Sequence, residues 1–204
     1  MSFRDSFVIY GMLRPAVLFG VRINPVIRAL GAEPGERILD AGCGYGVLVK
    51  YFKHCDYTGV DLDPERVQWA RLKFGETKSR RFVVGDVSHM DFPSKSFDRA
   101  IGFGILHHLS DAAALQTAQE LSRLSRQNVV FADPVYSKHH IVSNFLCRHD
   151  RGDHVRDAGG YLRVCEPAMR AVRGDYYLAY SGVAKYFLMS CEAAPASNLI
   201  ASEA

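Results

Sequence analysis

The stretch Ile-Leu-Asp-Ala-Gly-Cys-Gly-Tyr-Gly, residues 38–46, indicates the fold of this 204-residue chain. An apolar strand ends at Asp40 and runs into glycines at positions 42, 44 and 46. Because glycine lacks a Cβ, such a turn accepts backbone conformations and close approaches that other residues exclude. A strand, this kind of turn and a following helix form the ligand-binding unit of doubly wound α/β folds. A dinucleotide fingerprint would place its third glycine one position later, at Val47, so a nicotinamide dehydrogenase is disfavoured.

Strand and helix patterns alternate along the chain after residue 31. Strands are predicted at residues 37–40, 56–61, 81–86, 97–102 and 128–133, and helices at 47–53, 64–74 and 112–125. A short helix at 166–172 precedes a hairpin of strands 176–180 and 185–192. The alternation predicts an α/β fold: a doubly wound, mostly parallel seven-stranded sheet with helices on both faces and an antiparallel closing strand.

Composition and charge limit the classes of function. The chain is 48% hydrophobic and 23% charged, as expected for a globular domain with a sizeable core. Its net charge of +3 is too small to indicate a nucleic-acid partner. The five cysteines are scattered and form no CxxC pair, so neither a zinc site nor a disulfide framework is indicated. A reducing, cytoplasmic setting is predicted.

Acidic residues follow the glycine turn at the ends of three predicted strands: Asp40, Asp61 and Asp86. Ligands of open α/β sheets bind beyond the carboxyl ends of strands, so these side chains are expected to share one edge. With this pattern, the chain resembles the class I, Rossmann-like S-adenosylmethionine-dependent methyltransferases of the small-molecule type. The resemblance covers residues 38–133 and rests on these motifs: Leu-Asp-Ala-Gly-Cys-Gly-Tyr-Gly (39–46), Gly-Val-Asp-Leu-Asp-Pro (59–64), Gly-Asp-Val (85–87), Phe-Asp (97–98) and Leu-His-His-Leu (106–109).

The resemblance implies S-adenosyl-L-methionine as cofactor and S-adenosyl-L-homocysteine as product. One carboxylate can accept both ribose hydroxyls, which suits Asp61, and Asp86 with the Val87 N–H suits adenine. Asp40 would order the turn and favour the ammonium group. The implied cofactor-binding residues are Asp40, Gly42, Cys43, Gly44, Gly46, Asp61, Leu62, Asp86, Val87 and Gly102.

Two adjacent histidines, His107 and His108, follow the fourth predicted strand and are the candidate catalytic residues. Imidazole suits a general base near neutral pH, and the resemblance places His108 beside the expected methyl group. A histidine that only closes the cofactor pocket or caps the next helix is the alternative. Methyl transfer does not require a shared catalytic residue, because alignment and desolvation of the acceptor alone lower the barrier substantially.

The resemblance also divides the chain. Residues 1–30 are predicted to be an N-terminal helical lid, residues 31–194 the methyltransferase domain, and residues 195–204 a flexible tail. Within the domain, residues 135–165 read as an inserted acceptor-recognition segment. The basic, amphipathic residues 1–30 either pack on the domain or contact a membrane surface; they are too short and interrupted to span a membrane, and no signal peptide is predicted.

Tyr136, Arg151 and Arg156 are the candidate acceptor-binding residues. The guanidinium group of Arg151 or Arg156 is expected to hold an anionic part of the acceptor, since guanidinium pairs with carboxylate or phosphate. The alternative is a salt-bridged surface, because aspartates lie among these arginines. A metal site from His149, Asp150, Asp153 and His154 fits no known zinc spacing, so no metal is predicted.

The predicted function is methyl transfer by in-line displacement to a small-molecule acceptor. Acceptors that carry an anionic group are included in this prediction. Two alternatives stay open: a lipid or isoprenoid methyltransferase at a membrane surface, and a non-catalytic S-adenosylmethionine-binding regulator or scaffold. The motifs identify neither the acceptor nor its atom, and they leave the oligomeric state open.

Overall fold

The computed structural model describes residues 22–137, 140–149, 152–179 and 184–195. Seven strands form one sheet in the order β3-β2-β1-β4-β5-β7-β6. The strands are β1 (Arg37–Ala41), β2 (Asp56–Asp61), β3 (Arg80–Val84), β4 (Arg99–Phe103), β5 (Asn128–Pro134), β6 (Met169–Ala179) and β7 (Ala184–Ala193). Strands β1 to β5 pair in parallel, and β7 runs antiparallel between β5 and β6. The predicted mixed sheet with an antiparallel closing strand is confirmed.

Helices cover both faces of the sheet. They are α1 (Asn24–Leu30), α2 (Pro64–Phe74), α3 (Asp111–Leu124), α4 (Ile141–His149) and α5 (Ala158–Cys165). Successive strand residues point to opposite faces, so β5 supplies Val129 and Phe131 to the core under α3 and α5. Its Val130 and Ala132 join the core under α1 and α2. This doubly covered sheet explains why the central strands are almost continuously apolar.

Helix caps largely follow the sequence signals. The Asp63 side chain accepts hydrogen bonds from the backbone N–H groups of Glu65 and Arg66, and Pro64 occupies the first helical position of α2. Helix α3 begins one residue earlier than expected, because Ser110 rather than Asp111 is its N-cap. Asp111 instead lies in the first turn, where a negative charge favours the helix dipole.

Two predicted helices are wrong in type or extent. Residues Val47–Tyr51 form a 3₁₀ helix rather than an α-helix. The helix predicted at 166–172 is limited to a 3₁₀ turn, Glu166–Ala168, and Met169 already begins β6. The physical reason is pairing with β7, which β6 maintains over nearly its whole length and which overrides the local helix pattern.

The segment 135–165 is only partly an insertion. Helix α5 lies at its end and contributes Tyr161, Val164 and Cys165 to the core. The Tyr161 hydroxyl donates to the carbonyl of Pro134 at 2.8 Å, which ties the helix to the end of β5. Helix α4, which the sequence pattern did not predict, also belongs to this segment.

The region expected to be a lid contains a helix with another role. Helix α1 packs against β4, β5 and β7, and its Val26 and Leu30 are fully buried. Its last carbonyl, that of Leu30, accepts a hydrogen bond from Arg99 at the amino end of β4. Residues 1–21 and the tail from residue 196 lie outside the described residues, as does the predicted hairpin turn at 181–182.

Two glycines with positive φ permit a test of packing beneath the glycine turn. At Gly46 (φ 69°) a Cβ would lie 2.7 Å from Phe82 Cε1, whereas at Gly35 (φ 85°) nothing lies within 4 Å. We expect Gly35→Ala to lower the free energy of unfolding by about 1 kcal/mol through backbone strain alone. Gly46→Ala should cost a further ~1–3 kcal/mol from overpacking. Urea denaturation of the two variants measures the difference, and equal losses would contradict the packing argument.

Candidate functional site

The glycine turn joins β1 to the Val47–Tyr51 helix at the carboxyl edge of the sheet. Gly42, Gly44 and Gly46 all have positive φ, at 72°, 52° and 69°. The N–H groups of Gly42 and Cys43 donate to the Val60 carbonyl at 2.8 and 2.9 Å. A Cβ on Gly42 would stand 2.6 Å from Ile105 Cδ1, so the backbone passes directly beside that side chain. Glycine is therefore required here by conformation and by space.

Asp61, at the end of β2, fixes the turn from the neighbouring strand. Its Oδ2 accepts the Gly44 N–H at 2.7 Å, and its Oδ1 accepts the Asp63 N–H at 3.0 Å. Each carboxylate oxygen can accept more than one hydrogen bond, so the side chain keeps acceptor capacity. It is 7% exposed and faces a cleft, which leaves that capacity available to a ligand.

The cleft has a volume of about 320 Å³ and lies at the switch between β1 and β4, where the strand order reverses. Most of the residues predicted to hold a cofactor line it: Asp40, Gly42, Cys43, Gly44, Asp61, Leu62, Asp86 and Val87. Leu62 is 70% exposed, so it offers an apolar surface at the cleft opening. The structure thus brings together residues that are up to 47 positions apart, from Asp40 to Val87.

Gly46 and Gly102, also predicted to bind the cofactor, do not line the cleft. Gly46 packs on Phe82 as described above. A Cβ on Gly102 would lie 2.8 Å from Phe131 Cδ1, so this glycine makes room for the β5 side chain. Their contacts are those of packing residues, and a direct part in cofactor binding has no geometric support.

Asp40 is a buried carboxyl at the cleft wall. Its Oδ2 accepts a hydrogen bond from the Tyr57 hydroxyl at 2.5 Å. Its Oδ1 has no hydrogen-bond partner among the described residues. Burial raises the pKa of Asp40 to about 7, an effect that the Tyr57 hydrogen bond opposes and the nearby Asp61 charge reinforces. A cationic group at this wall would satisfy the orphaned oxygen and favour the ionised carboxyl.

The other cleft groups are electrostatically distinct. Burial raises the pKa of the Cys43 thiol, so this cysteine is a neutral packing residue rather than a nucleophile. Asp86 accepts hydrogen bonds from the Ser88 N–H and hydroxyl at 2.8 and 2.7 Å, and these bonds lower its pKa. With Asp40 and Asp61, it makes the cleft acidic; Arg66 is the basic side chain in the lining, and it pairs with Asp63 at 3.1 Å.

The two candidate histidines have different positions. His108 is exposed and lines the cleft, together with Ile105 and Leu109. His107 is 4% exposed, and its Nδ1 lies 2.7 Å from Oδ1 of the buried Asp133. The imidazole rings are neighbours, with centroids 4.0 Å apart. His108 is therefore placed to meet a ligand, whereas His107 supports the turn from below.

Arg156 is placed differently from the expectation for an acceptor-binding residue. Its guanidinium makes five hydrogen bonds: three to the carbonyls of Leu106, Leu109 and His154, and two to Oδ1 of Asp111, all at 2.7–3.0 Å. A guanidinium has five N–H donors, so none remains for an acceptor anion. Tyr136 is 37% exposed outside the cleft lining. Arg151 lies outside the described residues.

Within the described part of the chain, no cluster of histidine, cysteine and carboxylate side chains could hold a metal ion. Of the alternative metal set considered above, Asp150 and the side chain of His149 fall outside that part. No helix in the described ranges is long and apolar enough to cross a membrane.

Sequence reasoning missed several residues of the site. Phe103, Ile105 and Leu109 line the cleft beside His108, and Tyr57 supports Asp40. Leu109 is the last residue of the recognised histidine motif, and Phe103 and Ile105 lie just before that motif, so their proximity to it was the available signal. Tyr57 becomes visible only through strand register, because it pairs with Ile38, two residues before Asp40 on the same face of β1.

Comparison with known proteins agrees with this geometry. Residues 38–128 match the family model described as a methyltransferase domain. A fatty-acid O-methyltransferase of Mycolicibacterium smegmatis is 32% identical over 77 residues, covering 36% of this chain and 28% of that protein. A ubiquinone biosynthesis O-methyltransferase of Alkalilimnicola ehrlichii is 32% identical over 100 residues, covering 46% of this chain and 40% of that protein. The chain thus spans less than half the length of these curated relatives.

Among solved structures, a similar fold occurs in the complex between the Haloferax volcanii Trm112 methyltransferase activator and its methyltransferase. The TM-score is 0.77 at 18% identity, and the alignment covers 95% of this chain and 98% of that one. At 18% identity this similarity shows a shared fold. The match over residues 38–128 identifies this part of the chain as a methyltransferase domain, and the strand order and the cleft at the sheet switch point give it the Rossmann-like fold of that structure.

Proposed function

We propose that the cleft binds S-adenosylmethionine and that the protein transfers its methyl group to a small-molecule acceptor. The observation that carries the proposal is the acidic cleft around the glycine turn, with Asp40, Asp61 and Asp86 in its lining. Such a field favours a ligand that carries sulfonium and ammonium charges. It disfavours a dinucleotide, whose pyrophosphate is anionic.

The residues fit the proposed cofactor group by group. The partnerless Oδ1 of Asp40 suits the ammonium group, and Asp61 has free lone pairs for the two ribose hydroxyls. Asp86 has one oxygen, Oδ2, outside the Ser88 hydrogen bonds, which suits the adenine amino group. Exposed Leu62 supplies an apolar surface for a ring or sugar face.

When bound, S-adenosylmethionine supplies a methyl group activated by the sulfonium, and the C–S bond electrons pass to sulfur. The chain's own task is to orient the acceptor and keep water away, for which Phe103, Ile105 and Leu109 provide apolar walls. His108 is the proposed general base, because it is the titratable side chain that lines the cleft beside these walls. It would take the proton of a hydroxyl or acid carbon acceptor.

An acceptor with a large apolar part, such as a lipid or isoprenoid at a membrane surface, is the second candidate. Helix α4 exposes Ile141 (82%) and Phe145 (59%), which are four residues apart and so lie on one helix face. Two relatives are named for fatty-acid and ubiquinone-biosynthesis methylation, which agrees with apolar acceptors.

Binding of S-adenosylmethionine and S-adenosylhomocysteine, measured by calorimetry, tests the cofactor site. We expect Asp61→Ala to weaken both affinities by at least about 100-fold, because the variant loses a buried charged acceptor and the anchor of the glycine turn. Asp63→Ala is the matched control: it removes the α2 cap and the exposed ion pair with Arg66, at about 1 kcal/mol of stability, and should keep an affinity within about threefold of wild type. Wild-type protein that binds neither compound would refute the cofactor assignment.

The raised pKa of Asp40 predicts proton release on binding. Without ligand, a carboxyl with a pKa of about 7 is half protonated at pH 7, and a bound cation lowers that pKa. We therefore expect wild-type protein to release up to about half a proton near pH 7, and the release should vanish toward pH 8.5. Calorimetry in buffers of different ionisation enthalpy measures it. Asp40→Asn keeps a hydrogen-bond acceptor for Tyr57 but has no proton to release, so the part of the proton release that comes from Asp40 should disappear. Unchanged proton release in this variant would contradict the binding of a cation beside Asp40.

Substitution on the exposed face of α4 tests the apolar-acceptor candidate. If the second candidate holds, wild-type protein co-sediments with vesicles of mixed neutral and anionic lipid. The double variant Ile141→Ser, Phe145→Ser then loses most of that binding, since about 1.5–3 kcal/mol per buried side chain disappears. Cofactor affinity of the variant serves as the control. Wild-type protein that stays in the supernatant would favour a soluble acceptor.

A further inference from the structure

The segment 152–156 is fastened to the histidine turn, Leu106–His108, by several independent contacts. The His154 N–H donates to the His107 carbonyl at 2.9 Å. The backbone of Gly152 lies against His107 so closely that a Cβ there would stand 2.1 Å from the imidazole Cδ2 and 2.8 Å from the carbonyl oxygen. Both contacts act on the residue directly before His108.

Arg156 binds the same turn from its other side. Its Nη1 donates to the Leu106 carbonyl at 2.7 Å and its Nη2 to the Leu109 carbonyl at 2.7 Å, so the guanidinium bridges the two residues that flank the histidine pair. The remaining donors hold His154 and Asp111, which begins α3. The side chain of Arg156 is 9% exposed, and its bonds to the Leu106 and Leu109 carbonyls are partly buried, whereas its partner Asp111 is 86% exposed.

The histidine turn also has hydrogen bonds of its own. It is a single 3₁₀ turn, and its N-cap residue, Ile105, provides no side-chain hydrogen bond. Within the turn, the His108 and Leu109 N–H groups donate to the carbonyls of Ile105 and Leu106, both at 3.1 Å. A short 3₁₀ turn has strained hydrogen-bond geometry, so its conformation depends on tertiary contacts. Asp133 anchors His107 below, and Arg156 anchors the carbonyls on either side.

We infer that Arg156 is a positioning residue for methyl transfer: it clamps the histidine turn so that His108 stays at the wall of the cofactor cleft. This inference rests on the proposed function, because that function makes His108 the general base. It also reassigns Arg156 from acceptor binding, because all five donors serve the clamp. The segment 152–156 then supports the histidine turn from outside the cleft, whose lining includes His108 but none of these residues.

Arg123 provides a matched control within the same fold. It also makes five hydrogen bonds, to the carbonyls of Met90 and Phe92, the Ser94 hydroxyl and both oxygens of Glu120. Like Arg156, it fastens a loop to α3, but at the opposite end of that helix. Substitution of either arginine removes a saturated guanidinium, whereas only Arg156 contacts the histidine turn.

Hydrogen–deuterium exchange of the ligand-free protein tests the clamp directly. In Arg156→Gln, peptides covering residues 104–110 should exchange about tenfold faster or more, because the turn opens locally. Arg123→Gln should leave these peptides within about twofold of wild type while it speeds exchange at residues 90–94. Arg156→Lys keeps the charge but has three donors instead of five, so exchange at residues 104–110 should be faster than in wild type and slower than in Arg156→Gln. Unchanged exchange in Arg156→Gln, or equal acceleration in Arg123→Gln, would overturn the inference.

A chemical probe reads the position of His108 itself. Diethylpyrocarbonate modifies accessible imidazoles, and peptide mass spectrometry resolves His108 from the buried His107. Saturating S-adenosylhomocysteine should slow modification of His108 severalfold in wild-type and Arg123→Gln protein. Arg156→Gln should lose most of this protection at equal occupancy of the cleft, as measured by calorimetry. Full protection in Arg156→Gln would show that His108 is positioned without the clamp.

Gly152→Ala keeps the test decisive if Arg156→Gln does not fold. The added methyl group presses on His107, so it should displace the turn and reproduce the faster exchange at residues 104–110 with Arg156 intact. Wild-type exchange at these peptides in Gly152→Ala would count against the clamp. Failure of wild-type protein to bind S-adenosylhomocysteine would instead contradict the proposed function. The exchange experiment uses ligand-free protein, so its result does not depend on that binding.

Discussion

The hydrogen bond from the Gly44 N–H to the Asp61 carboxylate is the interaction on which the site depends. It joins the turn after β1 to the end of β2, across strands that pair in parallel. The turn can follow this path only because its glycines have positive φ and leave room for Ile105. The same carboxylate therefore shapes the cleft and faces into it, so architecture and ligand recognition are coupled at one side chain.

Electrostatics gives the cleft its selectivity. Three carboxylates stand in its lining against the single arginine, Arg66, and one of them, Asp40, is buried deeply enough that its pKa rises to about 7. An isolated buried carboxylate is unfavourable, which makes the free cleft ready for a cation that restores ionisation. The Tyr57 hydroxyl limits the rise in the pKa by donating to the same group. In the function that we propose, acceptor chemistry falls to the apolar wall and the histidine turn on the other side of the cleft.

Two saturated arginines organise the loops around this centre. Arg123 holds the loop that follows Asp86 and Val87, and Arg156 holds the turn that carries His108. Both use the planar, five-donor guanidinium fork to satisfy two or more backbone carbonyls and a carboxylate at once. Loops without regular hydrogen bonding thereby obtain fixed positions at the edge of helix α3. Such fixed walls favour catalysis by alignment, which is the main requirement of methyl transfer.

The sequence by itself determined the α/β class, the parallel core strands and nine of the cleft residues, His108 included, because period-two and helical patterns, glycines and strand-end carboxylates are local signals. The extent of β6 and the partners of Arg156 were decided only by tertiary structure. Residues 166–172 read as a helix until pairing with β7 made Met169 onward a strand. Arg156 read as an anion ligand, yet its partners, Leu106 to Asp111, lie 45 or more positions away, apart from His154. Such contacts depend on how distant segments pack, which no local pattern encodes.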